Sequence, residues 1–106
     1  EKSSKKLSLI QNIDKKIPLD EISESRGIDF DEILSELESI VFSGTKLDID
    51  YYIDEILDED QQEELKEYFL ESESEDILEA LEEFDGDYDE EELRLYRIKF
   101  LNDVSN

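Results

Sequence analysis

Apolar residues recur at steps of three and four along most of the chain, which is the spacing of amphipathic helices. The pattern predicts a helix over about 4–15, a short helix that follows Pro18 and closes at Gly27, and a helix from about Phe30 to Phe42. The predicted inward positions of the first and third helices are Leu7, Ile10, Ile13 and Ile17, and Ile33, Leu34, Leu37, Ile40 and Val41.

The second half has the same spacing with one ambiguous segment. Residues 46–53, KLDIDYYI, alternate apolar and polar positions as a strand does, yet Asp50 could equally begin a short helix through Leu57. We predict a short extended stretch followed by a helical turn. Three further helices are predicted to open at Asp58, Ser74 and Asp89, with inward residues Leu65, Tyr68 and Phe69; Ile77, Leu78, Leu81 and Phe84; and Leu93, Leu95, Tyr96, Ile98, Phe100 and Leu101.

Several helix ends carry recognisable signals. A capping box, in which an Asp accepts a backbone N–H and the residue three places on reaches back, is predicted at Asp29 with Glu32, Asp58 with Gln61, and Asp89 with Glu92. Gly44 supplies the left-handed residue that ends the third helix, and Gly86 ends the helix that is predicted to open at Ser74. The last helix is apolar on more than one side, which places it at the centre of the core.

These elements predict an all-α fold of five or six helices. A linker occupies residues 1–4, and residues 5–106 form a single accessory helical domain. A helix-turn-helix is predicted over about 18–44, a possible short extended segment near 46–50, and C-terminal helices over about 50–105. Because the chain contains no methionine, Glu1 is not a natural start, and we expect an excised piece of a longer protein.

The amino-acid composition excludes several classes of catalytic and metal-binding site. The chain has 34 acidic and 11 basic residues, a net charge of −23, and neither histidine nor cysteine. Thiol nucleophiles, Ser-His triads, zinc fingers and disulfides are therefore excluded. The apolar runs are too short to cross a membrane, and anionic lipid repels the chain, so we expect no membrane partner and a cytoplasmic location. By segment the charge is +3 over residues 1–16, −6 over 17–46, −22 over 47–92 and +2 over 93–106.

No catalytic or cofactor site is predicted. Asp85, Asp87 and Asp89 have the spacing of the first three ligands of a calcium loop, but Glu90 stands where the loop needs Gly and Tyr96 where it needs Glu. No glycine-rich phosphate loop is present, and a chain this short and helical leaves little room for a carboxylate-lined cleft. We predict no metal site, no cofactor and no enzyme activity for this chain.

A short helix, a glycine-containing turn and a longer helix, with Ile22, Ile28 and Ile33 placed to pack together, have the spacing of a helix-turn-helix. An ordinary helical hairpin is the alternative. In a helix-turn-helix the second helix would enter the major groove of DNA. Its predicted exposed positions contain no basic residue, so we predict that it does not read DNA. They are Asp31, Glu32, Ser35, Glu36, Glu38 and Ser39.

Basic residues are the remaining candidates for contact with nucleic acid, and the alternative for all of them is a solvated face that offsets the acidic body. Arg94, Arg97 and Lys99 are interpreted as such a face, with Glu90 four residues ahead of Arg94 as a helical ion pair. The candidate phosphate contacts are Lys5, Lys6, Lys15, Lys16 and Lys46.

The chain resembles the extreme C-terminal region of a group of bacterial RecQ-type ATP-dependent DNA helicases over nearly its whole length. The most distinctive pieces are SGTKLDIDYYIDEILDEDQ, residues 43–61, and EEELRLYRIKFL, residues 90–101. The resemblance implies a helix-turn-helix-like accessory domain that follows the helicase core, a zinc-binding and winged-helix region and a small helical domain. It also implies a parent that unwinds DNA 3′ to 5′ in repair and recombination, with ATP, Mg²⁺ and Zn²⁺ as cofactors outside this chain.

The predicted role is that of a non-catalytic accessory domain that docks a protein through its acidic surface. The expected partner is a basic face of the helicase itself or of another repair protein, because complementary charge speeds encounter and rejects wrong partners. Two alternatives stay open: direct DNA binding through the candidate lysines, and mimicry of DNA that occupies the helicase's own channel.

Overall fold

The structure, a computed structural model, describes residues 2–72 and 76–104, with side chains from Lys6 onward. Within these ranges the chain forms seven helices and no strand, so it is all-helical as predicted, but with a larger count. The additional helix is α4, which the sequence predicted as a single turn. The helices are α1 Lys2–Asp14, α2 Leu19–Arg26, α3 Phe30–Phe42, α4 Asp50–Ile56, α5 Glu59–Glu71, α6 Ile77–Phe84 and α7 Glu90–Val104.

The first three helices form the helix-turn-helix and its support. α2 packs on α3, and α1 packs on α2. Ile22 and Ile33 are buried and Ile28 packs against them in part, as predicted. The predicted inward face of α3 is buried throughout. In α1 the prediction for Leu7 is wrong, because α1 turns Leu9 and Ile13 inward and leaves Leu7 56% exposed.

The last helix is the centre of the fold, as predicted. α7 contacts α3, α4, α5 and α6. Because it is surrounded on several sides, a continuous run from Leu93 to Tyr96 is buried, together with Ile98 and Phe100. Aromatic rings join α7 to α5: the Phe69 ring stacks on Tyr96 at 6.3 Å and lies 5.7 Å from Phe100. Such ring pairs stabilise beyond the area they bury.

Residues 45–49, where the sequence predicted a possible short extended segment near 46–50, form neither helix nor strand in the described part of the chain and lead directly into α4. Leu47 and Ile49 are buried, whereas Lys46, Asp48 and Asp50 are exposed, so the predicted alternation of apolar and polar positions is present. The side chain of Asn102 in α7 supplies the hydrogen-bond partners that a neighbouring strand would give to the backbone of Leu47. Its Oδ1 accepts the Leu47 N–H at 2.9 Å, and its Nδ2 donates to the Leu47 carbonyl.

Two of the three predicted capping boxes are confirmed. At α5 and α7, Asp58 and Asp89 accept backbone N–H groups at 2.8 Å, and the side chains of Gln61 and Glu92 return the bond at 3.0 Å. The box predicted at Asp29 is wrong. Asp29 is the N-cap of α3 without a side-chain bond, since its own carbonyl already accepts the Glu32 N–H at 3.0 Å.

Glycines end two helices where the backbone must turn left-handed. Gly27 follows α2 with φ +68° and Gly44 follows α3 with φ +96°, as predicted. The end of α6 differs, because Asp85 takes the left-handed conformation one residue before Gly86.

The start of α6 and one of its inward positions also differ from prediction. The start predicted at Ser74 lies outside the described residues, and α6 runs from Ile77 with Asp76 as its capping residue. Leu78, predicted to face inward, is 68% exposed, while Ala80 is fully buried. The short α6 therefore turns its small residue, not Leu78, into the core.

Candidate functional site

The outward face of α3 is the surface that a helix-turn-helix would present to DNA. Asp31, Glu32, Ser35 and Ser39 are exposed on it, as expected. The expectation is wrong for two carboxylates on the same face. The side chains of Glu36 and Glu38 are only 29% and 14% exposed, because arginines from neighbouring helices cover them.

Arg94 of α7 lies against this face and contacts three residues of α3. Its guanidinium donates to both carboxylate oxygens of Glu38, at 3.1 and 3.0 Å, to the Asp31 carboxylate, and to the Ser35 hydroxyl at 3.2 Å. Arg97, one turn further along α7, donates to Glu38 at 2.7 Å. We call these five residues, Asp31, Ser35, Glu38, Arg94 and Arg97, the arginine cluster.

The arginine cluster holds its central carboxylate ionised. Burial by itself would raise the pKa of the Glu38 carboxyl, but hydrogen bonds and positive charge from Arg94 and then Arg97 outweigh it and lower the pKa below its usual value. In return, hydrogen bonding to Glu38 raises the pKa of Arg94, against the opposing effect of burial. The two-pronged contact of Arg94 with Glu38 is the strong geometry for such a pair.

The basic residues of α7 are therefore not a solvated face, and that prediction is wrong. The side chains of Arg94, Arg97 and Lys99 are 11%, 16% and 17% exposed. Lys99 lies 2.8 Å from an Asp50 oxygen and 3.4 Å from Asp103. Because α7 is central, its cations meet the carboxylates of the helices around it.

The helical ion pair predicted for Arg94 is wrong as well. The ion pairs of Arg94 in the described chain run to Asp31 and Glu38, and none runs to Glu90. A third arginine contacts α3, since Nη1 of Arg26 in α2 lies 3.3 Å from a Glu36 carboxylate oxygen.

The candidate lysines near the α1–α2 turn are solvent-accessible where they are described. The side chain of Lys5 lies outside the described residues, and Lys6 is half-buried. Lys15 and Lys16 are exposed and adjacent in the turn. Lys16 has a left-handed backbone, φ +61°, and its Nζ is 3.8 Å from an Asp48 carboxylate oxygen.

Lys16 also lies over the ring of Tyr51, 5.5 Å from its centroid, while the Tyr51 hydroxyl donates to the Ile17 carbonyl at 2.5 Å. The fifth candidate, Lys46, is exposed and lies elsewhere, with its Nζ 3.2 Å from the Asn102 carbonyl at the end of α7. The structure thus places Lys16 beside the start of α4, with Lys15 next to it in the turn, and Lys46 beside the end of α7. Their role in binding DNA stays a prediction.

Two further predictions concern metal and membrane. No group of three acidic side chains suited to a metal ion occurs within residues 2–72 and 76–104. Asp89 of the calcium-like spacing caps α7 instead. None of the helices in that part of the chain is both long and apolar enough to cross a membrane.

The arginine cluster was not predicted from the sequence, because Arg94 and Arg97 were interpreted as part of a solvated face. A usable signal was present: the two residues stand three apart on the helix predicted to be central, in a chain with few basic residues. On a buried helix a cation needs a carboxylate partner. Identifying α3 as that partner required knowing that α7 packs on it.

Comparison with known proteins finds a similarity for the N-terminal part of the chain. Residues 3–53 match the family model described as RecQ-1-like, helix-turn-helix domain. The matched segment holds α1 from its second residue, α2, the turn, α3 and the first half of α4. No curated protein matches the chain. Residues 3–53, which contain both helices of the predicted helix-turn-helix, are therefore similar to the RecQ-1-like helix-turn-helix family.

Proposed function

We propose that this chain is a non-catalytic accessory domain of a RecQ-type DNA helicase that acts mainly by docking a protein with a basic surface. The match of residues 3–53 to the RecQ-1-like helix-turn-helix family supports the assignment to a RecQ-type helicase. In this proposal the ATP-driven 3′ to 5′ unwinding of DNA belongs to the rest of the helicase, which holds ATP, magnesium and zinc. The accessory domain contributes a surface, not a reaction.

The observation that carries the proposal is the arginine cluster. Arg94 contacts Asp31, Ser35 and Glu38, which lie on the α3 face that would have to enter the major groove. Reading DNA through this face would require breaking contacts that are largely shielded from water. Of the groups on the face that stay open to solvent, Ser35 and Ser39 are neutral, whereas Asp31, at 74% exposure, and Glu32 are acidic and would repel phosphates.

The remaining surface favours a basic protein partner. Residues 47–92, which include α4, α5 and α6, have a net charge of −22. Charge of this density raises the rate of encounter with a positive surface and disfavours nucleic acid. Since the basic residues of α7 are already paired within the fold, they do not offset this surface for a partner.

Direct DNA binding is a second candidate, and one observation favours it. Lys15 and Lys16 are exposed side by side in the α1–α2 turn, where they can reach a phosphate strand without using α3. The carboxylate of Asp48, 3.8 Å from Lys16, competes with a phosphate for that lysine.

Deletion of the domain from a helicase that carries it separates the candidates. For protein docking, we expect the purified helicase without its partner to keep its unwinding rate and its DNA affinity within about twofold. A loss of about tenfold in DNA affinity contradicts the proposal and supports direct DNA binding. Faster unwinding after deletion also contradicts it and supports mimicry of DNA.

A titration of the isolated chain with duplex DNA, followed by amide NMR shifts, tests the α3 face itself. We expect no saturable shift at Asp31, Ser35 or Ser39 at about 0.15 M salt. Saturable shifts at these residues would overturn the proposal. Shifts confined to Lys15 and Lys16, removed by Lys15→Glu with Lys16→Glu, would assign DNA binding to the lysines.

A further inference from the structure

A groove between α5 and α7 leaves apolar side chains uncovered. Leu70 of α5 and Val104 of α7 are 59% and 54% exposed on it, while Tyr96 and Phe100 are buried in its floor. None of its lining residues belongs to the arginine cluster. The groove is therefore a separate surface, and it lies beyond the segment that matches the family.

The rim of the groove is negatively charged. Five carboxylates and two lysines line it. One of the lysines, Lys99, is neutralised within the fold by Asp50 and Asp103, which leaves Lys66 as the exposed cation of the rim. The carboxylates are Asp54, Glu59, Asp60, Glu63 and Asp103.

The two walls have the form of helix-packing surfaces. Glu59, Glu63, Lys66 and Leu70 stand four, three and four residues apart, so they form one ridge along α5. From Glu59 to Leu70 this ridge is about 16 Å long at 1.5 Å per residue, or about three helical turns. An apolar floor between two helical ridges is the setting in which a third amphipathic helix binds.

We infer that this groove docks a basic amphipathic helix of a partner protein, about three turns long. The helix places its apolar face on Leu70, Phe100 and Val104 and directs lysine or arginine toward the carboxylates of the rim. Charge selects this occupant, because a second copy of a chain of net charge −23 and a nucleic acid are both repelled from the same rim. The inference rests on the proposed docking function and gives it a site.

The test uses the whole chain and a labelled synthetic peptide of about fifteen residues, a leucine–lysine amphipathic helix. A scrambled peptide of the same composition keeps the charge and loses the apolar face. We expect binding by fluorescence anisotropy with a Kd on the order of 10–100 μM for the helix, and at least about tenfold weaker binding for the scramble. Equal binding of the two peptides, or no saturation up to about 1 mM, overturns the inference.

Substitutions inside and outside the groove test whether the peptide binds there. Leu70→Ser with Val104→Ser should weaken binding about tenfold, whereas Leu78→Ser, at a leucine of α6 that is equally exposed outside the groove, should leave it unchanged. Lys66→Glu should tighten binding about threefold by removing the exposed cation of the rim. A Leu78 effect as large as that of the groove pair contradicts the inference.

The deletion experiment distinguishes an error about the groove from an error about the docking function. If deletion spares DNA affinity while the groove variants bind the peptide normally, docking occurs through another surface and only the groove is wrong. If deletion lowers DNA affinity about tenfold, the docking function is wrong whatever the peptide does.

Discussion

At the scale of single residues, Arg94 joins the polar face of α3 to α7. The Arg94 side chain is 11% exposed and has lost most of its water, which the carboxylates of Glu38 and Asp31 and the Ser35 hydroxyl replace. The same contacts shield Glu38. The polar face of α3 thereby takes part in the packing of α3 against α7.

Removing Arg94 should be costly for that reason. We expect Arg94→Met to lower the free energy of unfolding by about 2–4 kcal/mol, because Glu38 keeps only one arginine in a site largely closed to water. Lys15→Met, at an exposed lysine, is the matched control and should change it by less than about 0.5 kcal/mol. Urea unfolding followed by circular dichroism measures both. A loss below about 1 kcal/mol for Arg94→Met would show that the cluster is not stabilising.

Acid should remove the contribution of Glu38. Since its pKa in the folded chain is below the usual 4.5, its stabilisation is complete above pH 4.5 and disappears as the pH falls through the folded pKa. Glu38→Gln lacks this contribution at every pH. We therefore expect the stability difference between Glu38→Gln and the unmodified chain to be large at neutral pH and to shrink as the pH falls through the lowered pKa of Glu38 in the folded chain. A pH-independent difference in urea unfolding would contradict the assignment.

At the scale of elements, helix ends and the non-helical segment 45–49 depend on side chains that replace missing backbone partners. Asp58 and Asp89 cap α5 and α7 with reciprocal bonds, while Asp29 occupies the same position at α3 without one. Asn102 supplies both partners of the Leu47 backbone. Identical residues at identical positions thus contribute differently according to their actual bonds.

The capping difference is directly measurable. Asp89→Ala should lower the free energy of unfolding by about 1 kcal/mol, because a backbone N–H of α7 loses its acceptor. Asp29→Ala loses the same charge at a helix start but no side-chain bond, and should cost less than about 0.5 kcal/mol. Thermal and urea unfolding compare the two. Equal losses would mean that charge at the helix start, not the capping bond, stabilises α7.

Asn102 offers a second test at this scale. Asn102→Ala leaves the Leu47 N–H and carbonyl without partners, so we expect a loss of about 2 kcal/mol and fast hydrogen exchange at the Leu47 amide. Asn102→Asp keeps an acceptor for that amide and loses the donor to the carbonyl. Its Leu47 amide should therefore stay protected. Unchanged exchange in Asn102→Ala would contradict the role given to this side chain.

At the scale of the whole molecule, excess negative charge opposes folding. With 34 acidic and 11 basic residues, repulsion among exposed carboxylates outweighs attraction, and it is screened by salt more readily than the partly buried pairs of α7. The buried core, which draws on all seven described helices, offsets this repulsion.

Salt should consequently stabilise the chain. Raising sodium chloride from about 20 mM to about 500 mM shortens the Debye length to a few ångströms, and we expect the melting temperature to rise by about 5 °C. An uncharged osmolyte at matched osmolality is the control for solvent effects that do not depend on charge. A melting temperature that falls with sodium chloride would mean that attractive ion pairs, not repulsion, dominate the electrostatics of the fold.

Much of the fold could be predicted because the signals are local. The limits of α3, the glycine after it and the capping pairs at Asp58 and Asp89 all depend on residues within one or two turns of each other. Predictions failed where two faces competed for burial. Leu7 and Leu9, or Leu78 and Ala80, suit an inward position equally well until the neighbouring helix sets the rotation.

The sequence by itself predicted an all-helical chain with a central last helix, a short helix and a longer one at the spacing of a helix-turn-helix, and a large excess of acidic residues, because periodicity, capping and charge are properties of the local chain. Only the tertiary structure decided that Arg94 covers α3, that Asn102 pairs with Leu47, and that α5 and α7 leave a groove between them. These contacts join residues more than twenty positions apart. Their formation depends on how whole helices pack, which no local pattern specifies.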